Sequence, residues 1–240
     1  MSPPSSATLL SWALGASLLA GGCAGTETGN PTLPAVELRV MAFSDDFGAV
    51  AVATPGPNIS VARAFAALGE IQLLPCGAGL PPQRFAAVGI ELTQKPAFQL
   101  NAAGTDQAYC GARVALAPSA AATPPELAGL SVYLEGTRAD GTAFKIASAA
   151  PVTVDLRTTP PNTPFSAEGL LLGFNFATWL EGVDLDGATV EGASITLDAS
   201  HNTDALAVFE AQAGLAPALY DDADGNGQLA GDNQPPTAGP

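Results

Sequence analysis

Residues 131–147 read SVYLEGTRADGTAFKIA, and the fold class turns on that stretch. Apolar and polar residues alternate on either side of Asp140-Gly141, the period of strands with one buried face. Asp-Gly between two such runs is a strong hairpin signal, because both central residues of a type I′ turn need positive φ. The stretch predicts a hairpin pairing residues 131–137 with 143–147. Working outward, Val36, Leu38, Val40 and Ala42 alternate with Glu37, Arg39 and Met41, and comparable runs fill 59–74, 85–92, 108–116 and 194–198. Many short strands at such spacing predict a sandwich or barrel. Proline-bearing segments at 55–58, 77–82, 117–125 and 158–164 read as loops. Residues 170–176, LLLGFNF, are apolar without alternation, as in a central strand covered on both faces, and Trp179 after them reads as core packing.

The pattern changes near residue 201. Asn202, Thr203 and Asp204 supply helix caps, and Leu206, Phe209 and Ala213 fall on one face of a helix over 203–213 that Gly214 and Pro217 end or kink. An acidic loop follows. The expected organisation is a signal peptide over 1–22, a tether over 23–34, a β-sandwich over 35–200, the helix and loop over 201–233 and a disordered tail over 234–240. No internal repeat is found.

Composition narrows the function classes. The chain carries 23 acidic and 8 basic residues, a net charge of −15, which argues against nucleic acid or anionic lipid headgroups as charge-driven partners. The charge is regional. Residues 1–157 hold 8 bases and 11 acids, whereas 158–240 hold 12 acids and no base, so −12 of the −15 lies in the last third. One histidine and three cysteines leave little for metal sites of imidazole and thiolate.

Residues 8–20, TLLSWALGASLLA, form an apolar run too short to span a bilayer and suited to the core of a secretory signal. It leads into Leu19-Ala20-Gly21-Gly22-Cys23, which resembles the lipobox of bacterial lipoproteins. The resemblance implies cleavage before Cys23, diacylglycerol on its thiol and a further acyl chain, such as palmitate, on the new amino terminus. Residues 24–31, AGTETGNP, look like the polar tether of some Gram-negative lipoproteins, and Ala24 in place of Asp implies the outer membrane. The chain differs from that family in having no basic residue before Arg39, and in carrying Ala20 where Leu is usual. The alternatives are an ordinary signal peptide with an incidental cysteine at its end, or a buried N-terminal helix. With Cys23 assigned to lipid, Cys76 and Cys110 remain, and in an exported chain they are expected to form a disulfide rather than two free thiols or a redox pair.

Residues 222–233, DADGNGQLAGDN, resemble the EF-hand or dockerin-type calcium loop. Such loops supply oxygens from positions 1, 3 and 5 and from the carbonyl at 7, with Gly at 6. The resemblance assigns those places to Asp222, Asp224, Asn226, the Gln228 carbonyl and Gly227. Position 12, where the family has a bidentate carboxylate, is Asn233, and Asp232 beside it could substitute. The implied affinity is weak, about 10⁻⁴ to 10⁻³ M. A solvated acidic turn that binds nothing is the alternative.

Residues 60–76, the Asp140-Gly141-Thr142 hairpin and residues 171–180 look like the Ig-like or transthyretin-like sandwich domains of Gram-negative envelope lipoproteins. The fold expected is mainly β, an antiparallel sandwich with one short C-terminal helix and an acidic loop. No nucleophile elbow, phosphate-cradling loop or zinc-protease motif is present, and His201 reads as a surface or capping residue. The expected function is a non-enzymatic, lipid-anchored envelope protein with a weak calcium site, serving as a binding module for a protein or carbohydrate, or as a structural one. The rivals are a scaffold without metal, and a carbohydrate-active enzyme using Asp45 and Asp46 or the acids between 184 and 191, where two carboxylates would have to flank a glycosidic bond.

Overall fold

The computed structural model describes residues 35–44, 53–56, 59–94, 96–104, 107–118, 124–165, 169–222 and 236–240. In chain order the strands are β1 (Val36–Phe43), β2 (Ala53–Gly56), β3 (Ile59–Pro75), β4 (Gln83–Phe85), β5 (Val88–Glu91), β6 (Phe98–Ala102), β7 (Tyr109–Leu116), β8 (Val132–Arg138), β9 (Ala143–Ser148), β10 (Val152–Thr158), β11 (Leu170–Asn175), β12 (Val190–Glu191), β13 (Ser194–Leu197), β14 (Pro217–Asp221) and β15 (Ala238–Gly239). Two α-helices accompany them, α1 (Phe176–Trp179) and α2 (Thr203–Ala213).

The 131–147 stretch forms the hairpin β8–β9, with Thr137 opposite Ala143 and Tyr133 opposite Ala147. Its turn differs from the expected type. Only Gly141 has positive φ, at 84°. The Arg138 carbonyl accepts from Gly141 N–H at 2.9 Å, and Arg138 N–H donates to the Thr142 carbonyl at 2.9 Å. This is a three-residue connection closed by one left-handed glycine, and Asp140 keeps a negative φ while its carboxylate accepts from Thr142 N–H at 2.9 Å.

β3 organises the rest. Along one edge its first half, from Ile59 to Ala66, pairs with β8, and its second half, from Leu68 to Pro75, pairs with β7. β2, β5 and β4 take the other edge in succession. One arm continues from β8 through β9 and β13 to β12; the other runs from β7 through β10, β15, β14, β11 and β1 to β6. The arms face one core, since Leu134, Phe144 and Ile195 of the first share a buried cluster with Val114, Leu156 and Leu172 of the second. The architecture is thus β-sandwich-like. It is mixed rather than strictly antiparallel, because β1 runs parallel to β11 and β13 parallel to β9. Those pairs join segments remote in sequence, so no tight turn imposes the antiparallel sense.

β11 is the doubly covered strand that residues 170–176 predict, set between β1 and β14. Leu172 and Phe174 face the main core, and Leu171 faces a second cluster with Met41, Phe43 and Tyr220. Met41 is therefore buried although it lies on the polar phase of the β1 alternation. Trp179 is fully buried and stacked, with ring centroids 5.4 Å from Phe174 and 5.8 Å from Phe209. α2 brings Phe209 with Leu206 and Ala213 into the same core.

The C-terminal segment is no appendage. β14 and β15 are internal strands of the second arm, and the described part of the tail, expected to be disordered, ends in β15 between β10 and β14. Ala238 is 1% exposed, and Thr237 N–H donates to the Leu219 carbonyl at 2.7 Å. Apolar burial outweighs chain entropy for these few residues because two strands already wait on either side. The 85–92 run is split into β4 and β5. β10, unread in the sequence, alternates inward Val154 and Leu156 with Asp155 and the exposed Arg157.

Gly136 explains its own identity. It lies opposite Phe144 on the inward face, where an added Cβ would sit under 3.0 Å from the Ser60 carbonyl oxygen and the Phe144 ring. Gly136→Ala should lower stability by about 1–3 kcal/mol through overpacking, read as a lower urea midpoint at unchanged slope.

Candidate functional site

The expected disulfide is present. Cys76 and Cys110 are joined, with Cα atoms 5.0 Å apart, where the end of β3 meets the start of β7. The Cys76 N–H donates to the Ala108 carbonyl at 3.0 Å, so the bridge extends an existing ladder. It closes a loop of 34 residues that contains β4, β5 and β6, a constraint of roughly 3–4 kcal/mol on the chain-entropy account. Cys23, Asp45 and Asp46 lie outside the described residues.

Of the calcium-loop residues, Asp222 alone is described; Asp224, Asn226, Gln228, Asp232 and Asn233 lie outside. Asp222 follows β14 directly, and its N–H donates to the Gly169 carbonyl at 2.5 Å. Its side chain is fully buried, and Oδ2 accepts from Nη1 of Arg39 at 2.5 Å. Arg39, on β1, also faces Glu37 at 3.8 Å. A carboxylate without solvent contact needs a countercharge, and the base that supplies it lies 183 residues earlier in the chain. The first residue of the loop is thus anchored to the sheet. The pairing of Leu219 with Ala238 brings the far side of the 222–236 connection back to the same place.

The acids between 184 and 191 are dispersed. Asp184 Oδ1 accepts from Gly187 N–H at 2.7 Å, closing its own turn. Asp186 pairs with Arg138 at 3.2 Å, and Glu191 lies 3.6 Å from His201 Nε2. Each acid answers a different partner. Asp184 and Asp204 do line a cleft of about 480 Å³ with Thr189, Asn202, Thr203 and Val208, beside the start of α2. Among the described residues no three His, Cys, Asp or Glu side chains converge as a metal site.

A charged cluster that the sequence reading missed lies on β3, β5, β8 and the 3-10 turn Pro125–Leu127. Arg63 meets Glu126 at 2.6 Å, Glu135 at 3.9 Å and Glu91 at 4.0 Å. Its guanidinium stands 4.6 Å from the centre of the Phe65 ring. The Glu126 carboxyl is held below its ordinary pKa, first by a hydrogen bond from its own backbone N–H and then by Arg63. Tyr133 donates to Glu135 at 2.5 Å, and burial followed by that carboxylate pushes its phenol well above the usual range. The only sequence signal was opposite charge at facing register positions, Arg63 against Glu135, which becomes visible once the pairing is known.

No family model matches the chain, and no curated protein matches it. A solved structure, MbnP from Methylosinus trichosporium, is similar at a TM-score of 0.46 and 11% identity, over 67% of this chain and 82% of that one.

Breaking a buried ion pair strands the remaining charge and typically costs about 3–5 kcal/mol. Asp222→Ala should therefore destabilise the whole fold by an amount in that range, and the double variant Arg39→Leu/Asp222→Ala should recover a large part of the loss in denaturant midpoint. A single variant indistinguishable from wild type would remove the pair from the account of stability.

Proposed function

We infer that the chain is a non-enzymatic, lipid-anchored protein of the bacterial outer membrane, a β-sandwich binding or structural module with a weak calcium site in its C-terminal loop. The observation that carries this reading is the Cys76–Cys110 bridge, because disulfides form and persist in oxidising compartments. It agrees with the apolar run at 8–20 and with Cys23 in its lipobox-like setting. No described helix is long and apolar enough to cross a membrane; several acyl chains on Cys23 anchor a protein without one.

The calcium reading rests on the spacing of Asp222, Asp224, Asn226 and Gln228, with Asp232 and Asn233 closing the loop, and on the concentration of acid in residues 158–240. A divalent cation there relieves self-repulsion. Arg39 already neutralises one oxygen of Asp222, which lowers the charge left for the ion and suits an affinity of about 10⁻⁴ to 10⁻³ M.

Two experiments test the reading. Radiolabelled palmitate should be incorporated by the full chain and lost in Cys23→Ser, with the variant moving from the membrane to the soluble fraction; a labelled variant would remove the anchor. Calorimetric titration should show heat and a raised Tm at millimolar calcium. Asp224→Ala should abolish both while leaving the metal-free Tm unchanged, a separation that Asp222→Ala cannot give because it also breaks the Arg39 pair. No heat and no melting shift in the wild type would end the calcium reading.

A further inference from the structure

The chain's single histidine sits where an edge of the sheet meets the start of α2. His201 Nδ1 lies 2.8 Å from Oδ1 of Asp198, and the same oxygen accepts from the backbone N–H of Ser200 at 2.8 Å and of His201 at 3.0 Å. On the far side of the ring, Nε2 stands 3.6 Å from Glu191. Glu191 belongs to β12, a two-residue strand with both residues exposed, whose one partner among the described strands is β13. The second fastening of this segment is Asn202, held at φ 50°. Its Oδ1 accepts from Thr189 N–H at 2.7 Å, and its Nδ2 donates to the Thr189 carbonyl at 3.1 Å and the Thr196 carbonyl at 2.8 Å. Thr189 and Asn202 are walls of the cleft that also contains Asp184 and Asp204.

The chemistry of the ring decides what this arrangement does. A neutral imidazole has one N–H, which Asp198 engages at Nδ1, leaving a lone pair on Nε2 towards the Glu191 carboxylate. A protonated ring donates from both nitrogens and so addresses both acids at once. We propose that protonation of His201 fastens β12 to the start of α2, making residues 189–191 a pH-sensitive strap along the wall of the cleft. The surroundings favour the charged ring: the hydrogen bond to Asp198 and its charge, then the charge of Glu191, raise the imidazole pKa above its ordinary value, and Lys145 of β9 opposes them. Asp204 supplies the carboxylate of the first α2 turn, and the ring's ion-pair partners among the described residues are Asp198 and Glu191. Because the folded pKa is the higher one, the fastening is fully present below the ordinary imidazole value of about 6.5 and is lost as pH rises through the folded value.

The single imidazole makes the test unambiguous, since its proton resonance reports one site. In the full chain, amide protection factors over residues 189–191, corrected for intrinsic exchange, should be roughly two- to five-fold higher at pH 5.5 than at pH 8, the span given by a partly exposed ion pair, and should change with the imidazole titration. His201→Gln should flatten that dependence. Glu191→Gln should flatten it too while the ring still titrates, which separates the strap from any general effect of losing the histidine. Protection that stays flat in the wild type while the ring titrates, or a dependence that survives unchanged in Glu191→Gln, would overturn the proposal.

Discussion

β3 is 17 residues long, and along one edge it changes partner from β8 to β7 between Ala66 and Leu68. The strands of both arms reach β3 along that edge, while β2, β5 and β4 take the other. A strand can serve two ladders only if its partners diverge at the handover, and the register shifts there, between Leu68 and Ile71. Gly69 lies at the shift, where a Cβ would stand 3.2 Å from the Ala115 methyl. Bulged positions increase local twist, and the twist turns β8 and β7 into different arms that can close over one core. The disulfide sits at the end of the second ladder and keeps β7 on β3 where the pairing runs out.

The acidic last third has no lysine or arginine of its own, so apart from the pairs of His201 its ion pairs among the described residues are drawn from elsewhere in the chain. Arg39 of β1 answers Asp222, and Arg138 of the hairpin turn answers Asp186 and donates to the Leu185 carbonyl at 3.2 Å. His201 is the only titratable cation within it. The pairs of Asp222 and Asp186 are therefore long-range: they exist only when the sheet is assembled, and unfolding returns those acids to unrelieved repulsion. The acidity that marks residues 158–240 in the sequence is thus a folded-state asset at Asp222 and Asp186, where the sheet supplies the bases.

Much of the architecture was legible where one face of a strand is buried. The β8–β9 hairpin, β3, β7, β11 and the α2 span follow from alternation, apolar runs and caps, because those signals are local. What could not be read was set by partners. The parallel pairing of β1 with β11 is decided by the core and not by a turn, and β15 is two residues of Ala and Gly whose strand character comes from β10 and β14 on either side. The turn at Asp140-Gly141 was located correctly but mistyped, since the glycine alone supplies the positive φ and leaves Asp140 free to cap Thr142. In residues 222–233 the sequence shows oxygen-bearing residues in a spacing like that of a calcium loop, yet the burial of Asp222 and its pairing with Arg39 belong to the fold. Spacing along a chain says nothing about a guanidinium 183 residues away.

The position of β15 bears on how the chain can be assembled. β10 is complete by Thr158, yet part of one edge is filled by Ala238 and Gly239, made some eighty residues later. Until those residues emerge, Arg157 and Thr158 keep backbone groups without their final partners, and the seam between β10 and β14 stays ajar. An open edge invites pairing with other chains. In any chain made amino terminus first, the interval between Thr158 and Ala238 leaves that part of the β10 edge uncovered, and a chaperone would have its use then.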